Sequence, residues 1–114
     1  RCIRDAVIST DAQGCVRIFN HRAEQLTGWS QEQAWGKDLL NVFVIVNGET
    51  LTHSVTNSLQ TRAAFDLAKH SSLVAKDGRN TPVEGNVTPV YDDRRCFLGF
   101  ILTFREVMDR QGKP

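Results

Sequence analysis

Ala6-Val7-Ile8-Ser9-Thr10-Asp11-Ala12-Gln13-Gly14-Cys15-Val16-Arg17-Ile18-Phe19-Asn20 is the stretch from which the fold is most readily read. Two apolar-rich runs, Ala6 to Thr10 and Cys15 to Phe19, flank Asp11-Ala12-Gln13-Gly14. Gly14 accepts a positive φ at little steric cost, so the segment reads as a β-hairpin.

Helical signals follow on its C-terminal side. Asn20 is placed to cap a short helix that carries Ala23 and Leu26 on one face and ends at Gly28. Ser30-Gln31-Glu32-Gln33 has the form of a capping box and opens a second short helix closed by Gly36. Leu39, Leu40, Val42 and Phe43 make a third apolar turn, and Val55, Leu59 and Ala63 recur at helical spacing in a longer helix. From Ser71 the period changes to two. Leu73 to Lys76, the turn Asp77-Gly78, Val83 to Tyr91, the turn Asp92-Asp93-Arg94-Arg95, and Phe97 to Val107 read as three strands joined by hairpins. Pro82 and Pro89 argue for an edge or a bulge in the middle strand, because proline donates no ladder hydrogen bond. Strands at both ends and helices between them predict an α+β domain: one antiparallel sheet with helices on one face.

Composition narrows the function classes. With 114 residues, 40% hydrophobic and 24% charged, the chain suits one globular domain with a core and no disordered tract. The net charge is +1 and the basic residues are scattered, which argues against nucleic acid as a partner. No apolar run approaches the roughly 20 residues that cross a bilayer, so no direct membrane contact is expected. Cys2, Cys15 and Cys96 are odd in number and far apart, which suggests neither a disulfide framework nor a zinc site and fits a cytoplasmic setting. The chain begins at Arg1 and ends in the polar Gln111-Gly112-Lys113-Pro114, and it reads as a piece excised from a longer multidomain protein.

Particular words in the sequence resemble a known family. Ala6-Val7-Ile8-Ser9-Thr10-Asp11-x-x-Gly14-x-Val16 and Phe19-Asn20-x-x-Ala23-Glu24-x-Leu26-Thr27-Gly28-Trp29-Ser30 are similar to the N-terminal half of a PAS domain. Lys76-Asp77-Gly78, Thr81-Pro82-Val83-Glu84, Thr88-Pro89-Val90 and Gly99-Phe100 are similar to its C-terminal half. The resemblance spans residues 5 to 107 and implies a single domain with a five-stranded antiparallel sheet in order 2-1-5-4-3. It also implies a regulatory rather than enzymatic role in a bacterial signalling protein, beside an output domain such as a histidine kinase or a GGDEF diguanylate cyclase. The family's C-terminal junction usually reads Asp-x-Thr, whereas this chain has Glu106-Val107-Met108.

The chemistry that PAS domains host can be tested residue by residue. In Gly36-Lys37-Asp38-Leu39-Leu40-Asn41-Val42-Phe43, Leu39 stands where flavin photosensors carry their reactive cysteine, so no cysteinyl-FMN adduct is expected. Leu73, Val83 and Ile101 stand where those sensors present amides to the flavin edge, and a buried polar edge left unpaired costs about 1 to 3 kcal/mol per group. His53 is the one candidate axial ligand for haem; His21 and His70 read as solvated. Trp29 and Trp35 are candidates to stack on a noncovalent FAD, although plugging the core edge accounts for Trp29 and helix packing for Trp35. Neither G-x-S-x-G, H-E-x-x-H nor a phosphate loop occurs, so catalysis is not expected.

The resulting expectation is a mostly apolar ligand pocket lined by Ile8, Thr10, Ile18, Leu39, Phe43, Leu59, Leu73, Val83, Val87 and Ile101. It suits a small apolar ligand or a filled core. Leu98, Phe100, Leu102 and Phe104, counted onto the opposite face of the last strand, are expected to form a homodimer interface. A ligand-free dimerisation module and a redox or gas sensor carrying FAD or haem are the alternatives.

Overall fold

The opening hairpin forms as its turn chemistry demands. In the computed structural model, which describes residues 5–47, 49–50, 60–67 and 70–107, β1 (Ala6–Thr10) and β2 (Val16–Phe19) pair antiparallel. The Asp11 carboxylate accepts from the Gln13 and Cys15 N–H groups, each at 2.9 Å, and Gly14 closes the turn at φ 85°. Helix α1 (His21–Thr27) starts at Asn20, whose side chain accepts from Ala23 N–H at 2.9 Å, and ends at the left-handed Gly28. Helix α2 (Gln31–Ala34) carries the full Ser30/Gln33 capping box, and α3 (Leu39–Val42) is capped by Asp38. All these signals act within three or four residues.

The next segment departs from the sequence reading. Val44–Asn47 forms β3 and pairs antiparallel with β4 (Glu49–Thr50). The consecutive β-branched Val44, Ile45 and Val46 are the signal for this strand. The helix expected around Val55 and Leu59 falls on residues outside the described ones, and so do Leu59 and His53.

Beyond it, β5 (Phe65–Asp66), β6 (Ser72–Val74), β7 (Asn80–Tyr91) and β8 (Phe97–Glu106) complete the sheet. The order is β2-β1-β8-β7-β6-β3-β4, with β5 paired to β7. Its first five members reproduce the expected 2-1-5-4-3 order, which β3, β4 and β5 extend.

Both prolines of β7 sit where their missing N–H groups do little harm. Pro82 faces β8 at that strand's end, where its carbonyl accepts from Val107 N–H at 2.9 Å. Val83 N–H and Gly85 C=O point to the opposite edge, bonding Ser71 and Leu67. Period two turns Pro89 to that same edge, past the place where β5 pairs with Val87.

Two β-bulges decide which side chains enter the core. In the β1–β2 pair Thr10 opposes Val16 while Ser9 opposes Ile18, so one residue is extra at Arg17. In the β7–β8 pair Tyr91 opposes Phe97 while Val90 opposes Gly99, so one is extra at Leu98. Each bulge reverses the alternation of faces beyond it. Ile18 is therefore 56% exposed and Ile101 39% exposed, and neither belongs to the inner face where simple alternation placed them. Conversely, Phe100, Leu102 and Phe104, expected on the solvent side, are buried to 2% or less, and only Leu98 of that set is exposed. The core they complete also holds Ala6, Val16, Phe19, Leu26 and Val42.

Candidate functional site

The inner face of the sheet is built from strand residues two apart and from α3. Ile8, Thr10, Leu39, Phe43, Leu73, Val83 and Val87 are all buried there, joined by Phe100, Leu102 and Phe104. Phe43 and Phe104 meet with ring centroids 4.9 Å apart, and Phe100 meets Phe97 at the same separation. Thr10 is the polar member of the set. Its hydroxyl donates to Asp11 C=O at 2.9 Å and accepts from Phe100 N–H at 3.2 Å, so it faces the core already satisfied. Among the described residues no buried side-chain nitrogen or oxygen lacks a hydrogen-bond partner. With the side chains of this set at most 7% exposed, the inner face is a filled, mostly apolar core.

The outer face is a second candidate surface. Ser9 lies between Ile18 of β2 and Ile101 of β8, and Ile101 lies opposite Thr88 of β7. Val7 opposes Thr103 in the next row. The result is a band of exposed or half-buried apolar and hydroxyl side chains across four strands.

At one end this band closes in charges. Arg105 reaches Asp5 at 3.0 Å and Glu84 at 3.2 Å, and Arg22 of α1 reaches Glu106 at 3.2 Å. Hydrogen bonding to Asp5, then its charge, and then Glu84 hold the Arg105 guanidinium still more firmly protonated than usual. These pairs are exposed and individually weak. Their positions matter more, because Asp5 precedes the first strand and Glu106 ends the last: the chain enters and leaves the sheet side by side.

The motif words that stood out in the sequence turn out to pack on one another. Asn20 Oδ1 accepts from Val7 N–H at 3.0 Å as well as from Ala23, and its amide donates to Asp5 C=O at 3.1 Å, which ties β1 to α1. Thr27 C=O accepts from Lys76 N–H at 2.8 Å, and the Lys76 ammonium lies 4.6 Å from the centre of the Trp29 ring. Residues distant in sequence thus lock the helices to the β6–β7 turn. The family model of the PAS fold matches residues 3–107. The chain belongs to the PAS family.

This PAS domain is similar to segments of several known proteins. It is 27% identical over 109 residues to the "Probable diguanylate cyclase DgcE" of Escherichia coli strain K12, covering 94% of this chain and 10% of that protein. The PAS domain of a Colwellia psychrerythraea protein has the same fold at 25% identity, covering 95% of this chain and 90% of that one, with a TM-score of 0.75. The PAS domain of nitrogen regulation protein NR(II) from Vibrio parahaemolyticus matches at 20% identity, 92% and 91% coverage and a TM-score of 0.66. A PAS domain is a regulatory sensory module and not an enzyme. The chain spans a tenth of the length of its diguanylate cyclase relative.

The individual chemistry-bearing residues of the PAS domain can now be placed. Leu39 is fully buried in the core with no thiol to offer. Leu73 and Val83 present apolar side chains to the inner face, and Ile101 points away from it. Trp29 packs against the core, whereas Trp35 is 56% exposed with the Arg17 guanidinium 4.8 Å from its ring centre. His21 stands in solvent 3.5 Å from Glu24, and His70 is exposed in a left-handed turn. No group of three or more metal-ligating side chains occurs among the described residues, and none of their helices is long and apolar enough to cross a membrane. Sequence reasoning missed Phe100, Leu102 and Phe104 as lining residues, for which only the bulge at Leu98 gave the clue.

Proposed function

We propose that this PAS domain regulates an output domain of the same polypeptide, a diguanylate cyclase or a histidine kinase, and passes its signal through a homodimer formed on the outer sheet face. The observation that carries this reading is the apolar band of Ile18, Val7 and Ile101, with Leu98 exposed farther along β8. A solvent-facing sheet surface of this kind calls for a cover. The band lies beside the Asp5–Arg105–Glu84 cluster, so a partner seated on it comes close to where the chain enters and leaves the sheet. The diguanylate cyclase relative supports the choice of output. Free thiols at Cys15 and Cys96 fit a cytoplasmic location. Sedimentation of the wild type beside Ile101→Glu tests the interface: a dimer that the substitution dissociates is expected, and a monomeric wild type or an unaffected dimer overturns it.

A second reading is favoured by the inner face. Its mostly apolar side chains, closely packed and with the Thr10 hydroxyl already bonded, would admit a small apolar ligand by moving apart more readily than a flavin, whose polar edge finds no partner at Leu73 or Val83. Absorption spectroscopy and mass spectrometry of the natively purified domain distinguish the two. A visible flavin or haem band rules out the apolar ligand class.

A further inference from the structure

As the terminal strand on its side of the sheet, β2 presents a row of backbone groups that invites another chain. In this protein those groups are occupied from within. Val16 N–H donates to Lys37 C=O and Val16 C=O accepts from Gly36 N–H, each at 2.8 Å. Farther along, a side chain takes over. Gln31 Nε2 donates to Arg17 C=O at 2.9 Å, and Gln31 Oε1 accepts from Phe19 N–H at 2.6 Å. A primary amide offers the donor and acceptor of a peptide group, so Gln31 does for β2 what a neighbouring strand would do. The residue is itself anchored, its own N–H donating to Glu24 Oε2 at 2.7 Å. It opens α2, a four-residue helix with little stability of its own, whose place depends on these contacts.

We propose that Gln31 guards a latent strand-pairing edge, and that the partner this edge fits is β2 of a second copy of the chain, paired antiparallel. Self-pairing of one strand is closed by a twofold axis and needs no second kind of surface. The exposed Ile18 supports that partner, because pairing brings it against its own counterpart on the outer face. The Ile18–Ile101 row then runs unbroken across the joined sheets. This edge contact shares Ile18 with the face contact proposed above but does not need Ile101, and does not rest on that contact.

Gln31→Leu removes both bonds at similar size. The Phe19 amide is expected to exchange with solvent at least about tenfold faster, and the chain to self-associate at least about tenfold more tightly in sedimentation velocity. The gain should survive Ile101→Glu, which attacks the face, and vanish with Ile18→Lys, since lysine blunts an edge. Gln31→Glu keeps an acceptor for Phe19 but donates nothing to Arg17, so it should show a smaller gain and also serves if the leucine variant does not fold. Unchanged association in both variants, or a gain that Ile101→Glu cancels, overturns the proposal.

Discussion

Arg95 occupies in the β7–β8 turn the place that Gly14 occupies in the β1–β2 turn. The hydrogen bonds correspond one to one: Asp11 N–H to Cys15 C=O and Gly14 N–H to Asp11 C=O in one, Asp92 N–H to Cys96 C=O and Arg95 N–H to Asp92 C=O in the other. Asp11 and Asp92 each accept two further backbone N–H groups through Oδ1. Both corner residues are left-handed, at φ 85° for Gly14 and 66° for Arg95.

A residue with a Cβ pays about 1 to 2 kcal/mol for that conformation, partly offset by the greater freedom glycine loses on folding. Arg95→Gly is therefore expected to stabilise the domain by about 0.5 to 1 kcal/mol, read as a higher urea midpoint at unchanged slope. A lower midpoint would show that the Arg95 side chain contributes more than its backbone costs.

The bulge at Leu98 makes opposite predictions for neighbouring residues of β8. Phe104→Ala, which empties a site packed against Phe43, is expected to cost about 3 to 5 kcal/mol. Ile101→Asn on the outer face should cost less than about 1 kcal/mol. Denaturant unfolding of the two variants decides the matter, and the reverse order would return the strand to simple alternation.

Gly99 lies where β8 presses on the end of β1. A Cβ there would run into Thr10 C=O and come within 2.9 Å of the Asp11 carbonyl carbon, and φ is 148°. Those neighbours are backbone and cannot rotate away. Gly99→Ala is expected to cost about 2 to 3 kcal/mol, and a variant as stable as the parent would show that the two strands can separate there freely.

Asp11 links the turn to pH. Partial burial works to raise its pKa, but hydrogen bonds from Cys15 and Gln13 and the paired Arg17 outweigh it and hold the carboxyl below its ordinary 3.8. A carboxylate with a lowered folded pKa stabilises fully above the ordinary value and loses that contribution as pH falls through the lowered one. The stability difference between wild type and Asp11→Asn should thus be constant near neutrality and shrink only below about pH 3.8. A difference that already shrinks between pH 7 and 5 would contradict this.

The sequence by itself determined what a few neighbouring residues decide. Asp11 with Gly14, Asn20 with Ala23, and Ser30 with Gln33 each act over three or four positions, so turns, caps and the order of elements as far as α3 were legible, and the family words with them. The β-branched run Val44-Ile45-Val46 was equally local, but strand β3 exists by pairing with β6, some thirty residues on. Only the tertiary structure decided which face of β2 and β8 is inside. Both faces of β8 are apolar, so hydrophobicity could not choose between them, and a single extra residue at Arg17 or Leu98 reverses every side chain beyond it. That extra residue is fixed by the register of two strands brought together, which is why Ile18 and Ile101 came out of the expected pocket and Phe100, Leu102 and Phe104 went in.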